Sequence, residues 1–202
     1  MGSQDLLIIE KDAHDQACTD EDLIRCVRKG DSQAFEQLYK RYYLRLFRFV
    51  YRVVRRRDLI EEVINDAMFV VWQKADTFDA TSRVSTWVFG IAYKKALKCL
   101  ERFPPTKNGV SIEEIENVVP GNGEAVIKQI ELDNWLDTAF EALSPDQRAV
   151  MELAYRQGMN YSEIAVAMGC PENTVKTRMF HARKKLRAHW PVLSAVPESS
   201  HS

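Results

Sequence analysis

The residues best suited to chemistry lie near the C-terminus, and the chemistry they suit is hydrogen bonding to a polyanion rather than bond making. Asn160-Tyr161-Ser162-Glu163 reads as a helix cap with its capping box. Gly169 can take the positive φ of a tight turn, and Pro171 can restart a helix at its first position. Two helices joined by so short a turn describe a helix-turn-helix. In the second helix Val175, Met179, Ala182 and Leu186 share one side. Asn173, Thr177, Phe180, His181 and Lys184 lie opposite, flanked by Lys176 and Arg187. About nineteen helical residues span about 28 Å, enough for an N-terminal half at base edges and a basic C-terminal half at phosphates. The plainer alternative is an amphipathic surface helix. Phe180 argues against it, because it is an aromatic on the side where no core asks for one.

Nothing in the chain resembles a catalytic centre. The four histidines are scattered, neither G-x-x-x-x-G-K-[ST] nor H-E-x-x-H occurs, and no Ser/His/Asp order stands out, so an enzyme is not expected. Cys18, Cys26, Cys99 and Cys170 show no C-x-x-C spacing. Neither a zinc site nor a disulfide framework is expected, which leaves reduced cytosolic thiols and no cofactor.

The elements that must carry these residues are helices. Glycine and proline total only 15 of 202 residues, too few for many short strands. Thr19 and Asp22 begin a short helix that Gly30-Asp31 ends. Ser32 opens a long amphipathic one through Phe35, Leu38, Tyr42, Leu46, Phe49 and Val53. Asp58 is expected to cap a third, with Ile60, Val63, Ile64, Ala67, Met68 and Val71 as its apolar stripe. Residues 75–85 read as a loop and Thr86 to Arg102 as a fourth helix. Pro104-Pro105 stops that helix, and the stretch to Gly123 reads as a linker. Helical spacing resumes at Glu124. Ser144-Pro145-Asp146-Gln147 then combines an N-cap, a proline at the first helical position and a capping box.

A net charge of −1 conceals segregation. Residues 1–22 carry −6, 23–103 carry +8, 104–134 carry −4, 135–170 carry −3 and 171–191 carry +5. Two basic blocks separated by an acidic stretch point to two separate contacts with a polyanion. The apolar patch at residues 6–9 is only four residues long and lacks a basic flank, so it is not a secretory signal. No run reaches the ~20 apolar residues of a membrane helix, and a cytoplasmic location is expected.

Residues 160–189, NYSEIAVAMGCPENTVKTRMFHARKKLRAH, resemble region 4.2 of the extracytoplasmic-function sigma factors of the sigma-70 family. GDSQAFEQLYKRYYLRLFRFV resembles region 2.1 and LIEEVINDAMFVVWQKADTF region 2.2, while STWVFGIAYKKALKCLER takes the place of regions 2.3 and 2.4. The resemblance covers about residues 22–190 in the family's order. It implies an all-α chain: an acidic tail at 1–21, sigma region 2 at 22–103, a flexible linker at 104–123, region 4 at 124–190 and a disordered tail at 191–202.

The implied role is promoter-specific initiation without catalysis. The resemblance assigns core polymerase binding at the β′ clamp to Glu62, Asn65, Asp66 and Phe69, with the β flap as a further contact. It assigns the −10 element to Asp79, Ser82, Arg83, Ser85, Thr86, Lys94 and Lys98. The −35 element falls to Asn173, Thr174, Lys176, Thr177, Arg178, Phe180, His181, Arg183 and Lys184. It also implies an anti-sigma factor, expected to wedge an apolar segment between the domains and cover Glu62–Phe69; a fold-back of the acidic tail is the rival control. The chain departs from the family at Ser85 and Gly90, where arginine is usual, and at Lys94 and Lys98, where Asn and Asp are usual. His181 also stands where arginine is frequent, removing a fork-shaped donor. The alternative function is a dimeric helix-turn-helix regulator that recruits polymerase, against which the +8 of the first domain counts.

The linker reading is testable. Twenty flexible residues average about 25 Å end to end, suited to sites more than one DNA turn apart. Deleting ten of residues 106–121 is expected to impair initiation while each domain still folds. Unchanged transcription from the deletion would refute a spacer role.

Overall fold

A threonine begins the first element. In the computed structural model, which describes residues 18–104 and 140–193, Thr19 Oγ1 accepts from the Asp22 amide at 3.2 Å and Asp22 accepts from the Thr19 amide at 3.3 Å. This reciprocal cap satisfies amides that a helix start leaves without partners, and α1 runs Asp20–Val27. Asp31 caps α2, Ser32–Val54, by accepting from the Gln33 and Ala34 amides.

The expected cap at Asp58 is corrected. Its carboxylate takes both Arg56 donors at 2.9 and 2.7 Å, a 3₁₀ turn spans Arg57–Leu59, and α3, Ile60–Gln73, starts without a side-chain cap. A charged fork two residues away outcompetes a neutral amide for one carboxylate. The expected 75–85 loop is also shorter: a 3₁₀ turn takes Ala75–Thr77, and α4, Val84–Arg102, begins two residues before Thr86. Val84 is buried, so packing extends the helix toward its N-terminus. Arg28 ties this loop to the end of α1 by donating to the carbonyls of Ala75 and Phe78.

Helices α2, α3 and α4 pack mutually, with α1 along α2. Phe89 of α4 meets Phe49 of α2 edge-on at 5.3 Å, and both are fully buried beside Tyr42. The C-terminal group comprises α5 (Pro145–Tyr155), α6 (Tyr161–Met168) and α7 (Glu172–Leu193). Ser144 and Asn160 form the capping boxes read from the sequence. Gly169 takes φ 63°, the left-handed conformation that turns α6 into α7. Val175, Met179 and Ala182 fill the inner side of α7. All regular elements among the described residues are helical, the class the sequence implies. The 104–123 linker beyond Pro104 and the helix expected from Glu124 to 139 lie outside those residues, as do the acidic tail and residues 194–202.

The two helical groups touch directly: α5 lies on α2, α6 lies on α4, and their buried residues form one contiguous cluster. Gly90 marks the closest approach. A Cβ there would sit 2.9 Å from the Ala167 carbonyl oxygen and 3.2 Å from its Cα. A partner segment wedged between the groups, as expected from the sequence, has no room at this crossing.

Two phenylalanines separate core from surface. Phe89→Ala is expected to cost about 3–5 kcal/mol of stability through the cavity it leaves. Phe69, 57% exposed on α3, is expected to shift stability by at most about 0.5 kcal/mol when replaced by alanine. Urea unfolding of the full chain measures both, and equal losses would place Phe69 in the core.

Candidate nucleic-acid interface

Helix α7 presents the first surface. Its inner side is held by α5 and α6, so the opposite side is fixed outward. Asn173, Lys176, Thr177, Phe180, His181, Arg183 and Lys184 are exposed there and Thr174 is half-buried. Phe180 is 64% exposed and meets the His181 ring edge-on at 5.4 Å. Lys176 leans on Glu172 at 2.8 Å, an exposed pair one turn apart that costs little to release. Thr177 Oγ1 donates to the Asn173 carbonyl at 2.9 Å, which fixes its methyl group and leaves the hydroxyl oxygen free to accept.

Two further expected cations are tied to α5. Arg178 is half-buried, donating to Asp146 and, at 3.6 Å, to Cys170 Sγ, so it braces α7 against the start of α5. Arg183 Nε donates to the Tyr155 hydroxyl at 3.0 Å, with its guanidinium 5.7 Å from the ring centre. Tyr155 is itself exposed, so this pair aims the cation outward along the flank of the helix. The sequence missed Tyr155, whose only signal was an aromatic at the polar end of α5.

The loop before α4 and the helix start form the second surface. Asp79 accepts from the Thr81 amide at 3.0 Å and from its hydroxyl at 2.8 Å. These bonds, the amide's first, hold its carboxyl below the usual carboxylate range. The turn carries Ala80 at φ 60°, in the left-handed region. Asp79, Arg83, Lys94 and Lys98 are exposed, and Ser82 and Ser85 are half-buried. Thr86 is fully buried, and its Oγ1 has no hydrogen-bond partner among the described residues. Arg83 pairs with Glu163 of α6 at 3.2 Å. The seven residues assigned to the −10 element therefore do not form one open face here.

Helix α3 offers the third surface. Glu62, Asn65, Asp66 and Phe69 are all exposed, on the side opposite Val63, Ile64, Ala67 and Met68. Asn65 accepts from the Tyr39 hydroxyl at 2.8 Å, and Asp66 pairs with Lys95 at 3.0 Å. An exposed phenylalanine beside acids suits a basic partner with an apolar notch. No described helix is long and apolar enough to cross a membrane.

The comparisons with known proteins agree with this layout. The model of sigma-70 region 2 matches residues 38–102, and that of sigma-70 region 4 matches residues 133–186. The ECF RNA polymerase sigma-E factor of Escherichia coli K12 is 33% identical over 178 residues, covering 83% of this chain and 92% of that protein. Its counterpart in Haemophilus influenzae is 29% identical over the same coverage of this chain. Among solved structures, CnrH in complex with the cytosolic domain of CnrY has a TM-score of 0.63 at 24% identity, covering 88% of this chain and 99% of that one. The sigma factor RpoE bound to the anti-sigma factor NepR from Bartonella quintana has a TM-score of 0.57 at 22% identity, covering 81% and 98%. At these identities the structural likeness bears on the fold.

Lys176 and Arg183 are expected to act differently on DNA. Lys176→Ala should alter preference at one base, by about 1–3 kcal/mol. Arg183→Ala should weaken all sequences alike and reduce the salt slope by about one. Binding to a panel of duplexes at two salt concentrations reads both, and matching profiles would remove the distinction.

Proposed function

The chain belongs to the extracytoplasmic-function sigma factors of the sigma-70 family, and from that premise we infer that it binds core RNA polymerase and directs promoter-specific initiation. The observation that carries this reading is the occurrence of both sigma-70 regions in order, each with its outward face open on α3 and α7. The α3 face of Glu62, Asn65, Asp66 and Phe69 would meet the β′ clamp, and the C-terminal group the β flap. Helix α7 would enter the major groove at the −35 element. Asn173, Thr174, Lys176, Thr177, Phe180 and His181 would lie nearest the bases, with Arg183 and Lys184 on phosphates. Arg178 would support α7 through Asp146 rather than read a base.

The 79–83 loop and the start of α4 would hold the opened −10 strand. Extruding a base costs a few kcal/mol, which contacts in a pocket can return. Lys94 and Lys98, exposed farther along α4, suit backbone phosphates better than base edges. The protein itself would make and break no bonds, and would work where core polymerase does, in the cytoplasm. An anti-sigma factor would hold it inactive. A protein of this fold, the sigma factor RpoE, was solved in complex with the anti-sigma factor NepR. The exposed Phe69 patch on α3 is a surface such a partner could cover.

Copurification with core polymerase followed by run-off transcription tests the reading. Asp66→Arg is expected to lower core retention at least about tenfold, a loss of 1.4 kcal/mol. The thermal melt should change little, because the exposed Lys95 pair contributes at most about 1 kcal/mol. A collapsed melt would make Asp66 structural, and undiminished retention would remove it from the polymerase surface.

A further inference from the structure

We propose that Arg28, at the end of α1, is a positioning residue for the −10 contact: its guanidinium fork pins the base of the 79–83 loop and so fixes where that loop meets the opened strand. The inference rests on the preceding assignment of the −10 element to this loop and the start of α4.

The loop runs between two apolar anchors. Phe78 and Val84, immediately outside it, are buried. Between them Asp79, Ala80, Thr81 and Arg83 are exposed and Ser82 is half-buried. The bonds from Thr81 to Asp79 shape the tip, but they join residues two apart and do not decide where the whole turn sits. Val84 places the far end, because α4 is fixed by its packing on α2 and α3. The near end follows the 3₁₀ turn Ala75–Thr77, whose own bonds are local. Thr77 donates to the Lys74 carbonyl from its amide at 2.9 Å and its hydroxyl at 2.8 Å, and the Phe78 amide donates to Ala75 at 3.3 Å. The Phe78 ring, 5.4 Å from that of Trp87, gives apolar contact without fixing the backbone's direction.

Arg28 supplies the missing tie from another element. Its Nε donates to the Ala75 carbonyl at 3.2 Å and its Nη2 to the Phe78 carbonyl. Those two carbonyls bracket the 3₁₀ turn, and the second belongs to the last residue before the loop. A planar fork holding two carbonyls sets their direction as well as their position, which a point-like ammonium does not. The cation also suits its place, since the carbonyl end of α3 and of the turn after it favours positive charge. Helix α1 is a firm base for the fork. It buries Leu23, Ile24 and Val27 and packs along α2, and Asp20 accepts from the Tyr42 hydroxyl at 2.6 Å and from Arg41 at 2.7 Å. Arg28 lies ahead of residues 38–102, the stretch that matches sigma-70 region 2, so the loop is braced from outside that stretch. With Nε and Nη2 turned to protein, Arg28 acts on DNA through the loop.

Holoenzyme assembled from core polymerase and the full chain, carrying Arg28→Ala or Arg28→Lys, tests this. The templates are a promoter on which the wild-type holoenzyme gives run-off product and versions of it with single-base changes in either element. Both variants should lower discrimination at the −10 element about fivefold, because a reading loop without its support is held less accurately. Core retention and −35 discrimination should stay within about twofold, as for a surface substitution elsewhere. Amide exchange at Thr77, Phe78 and Thr81 should speed about tenfold while that of α2 is unchanged. Arg28→Lys keeps the charge and loses the fork, so wild-type −10 discrimination in that variant would overturn the inference. A salt slope lower by about one in Arg28→Ala would also overturn it, since that marks a phosphate contact. So would an equal loss of core retention, −35 and −10 discrimination, which would make Arg28 a residue of the fold. If Arg28→Ala does not fold, Arg28→Lys decides alone, and failure of both to fold is likewise fatal. Failure of the wild-type chain to retain core polymerase would instead defeat the functional reading, whatever the variants do.

Discussion

The contact between Gly90 and Ala167 sets the geometry on which the rest of the molecule depends. Two helices approach this closely only where one lacks a side chain, and the backbone of α6 then lies against α4 with nothing between. Once α6 is seated there, the capping box at Asn160 and the left-handed turn at Gly169 fix where α7 begins. The direction of α7 thus follows from a missing Cβ two elements away. The family usually carries arginine at the position of Gly90, and that side chain could not lie under α6 in this arrangement.

Electrostatics along the seam favours definition over strength. Arg52, Arg148 and Glu152 are each buried between α2 and α5, and Arg52 also faces the Phe140 ring at 5.0 Å. Desolvating such groups costs several kcal/mol per ion, and their attraction repays it only in good geometry. Glu152 lies 3.6 Å from Arg52 Nε and 3.5 Å from Arg156 Nε, so one buried carboxylate faces two arginines. Such a seam gains position from its charges and adhesion from the apolar residues buried around it. The interior of α2, α3 and α4, where Tyr42, Phe49 and Phe89 meet, holds no comparable buried charge pair among the described residues.

Local chemistry was legible in the sequence and long-range chemistry was not. Thr19, Ser144 and Asn160 cap as read, because a capping box involves residues three apart. The inner stripe of α7 and the exposed acids of α3 follow from helical periodicity alone. Asp58 was misread because its competitor, Arg56, acts outside the helix pattern. The pairing of Arg178 with Asp146, 32 positions earlier, leaves no mark in the local pattern. Arg45 with Gln157 and Tyr93 with Asp146 are pairings across 112 and 53 positions. No spacing rule reaches that far, so the burial of Thr86 could not be inferred from its neighbours.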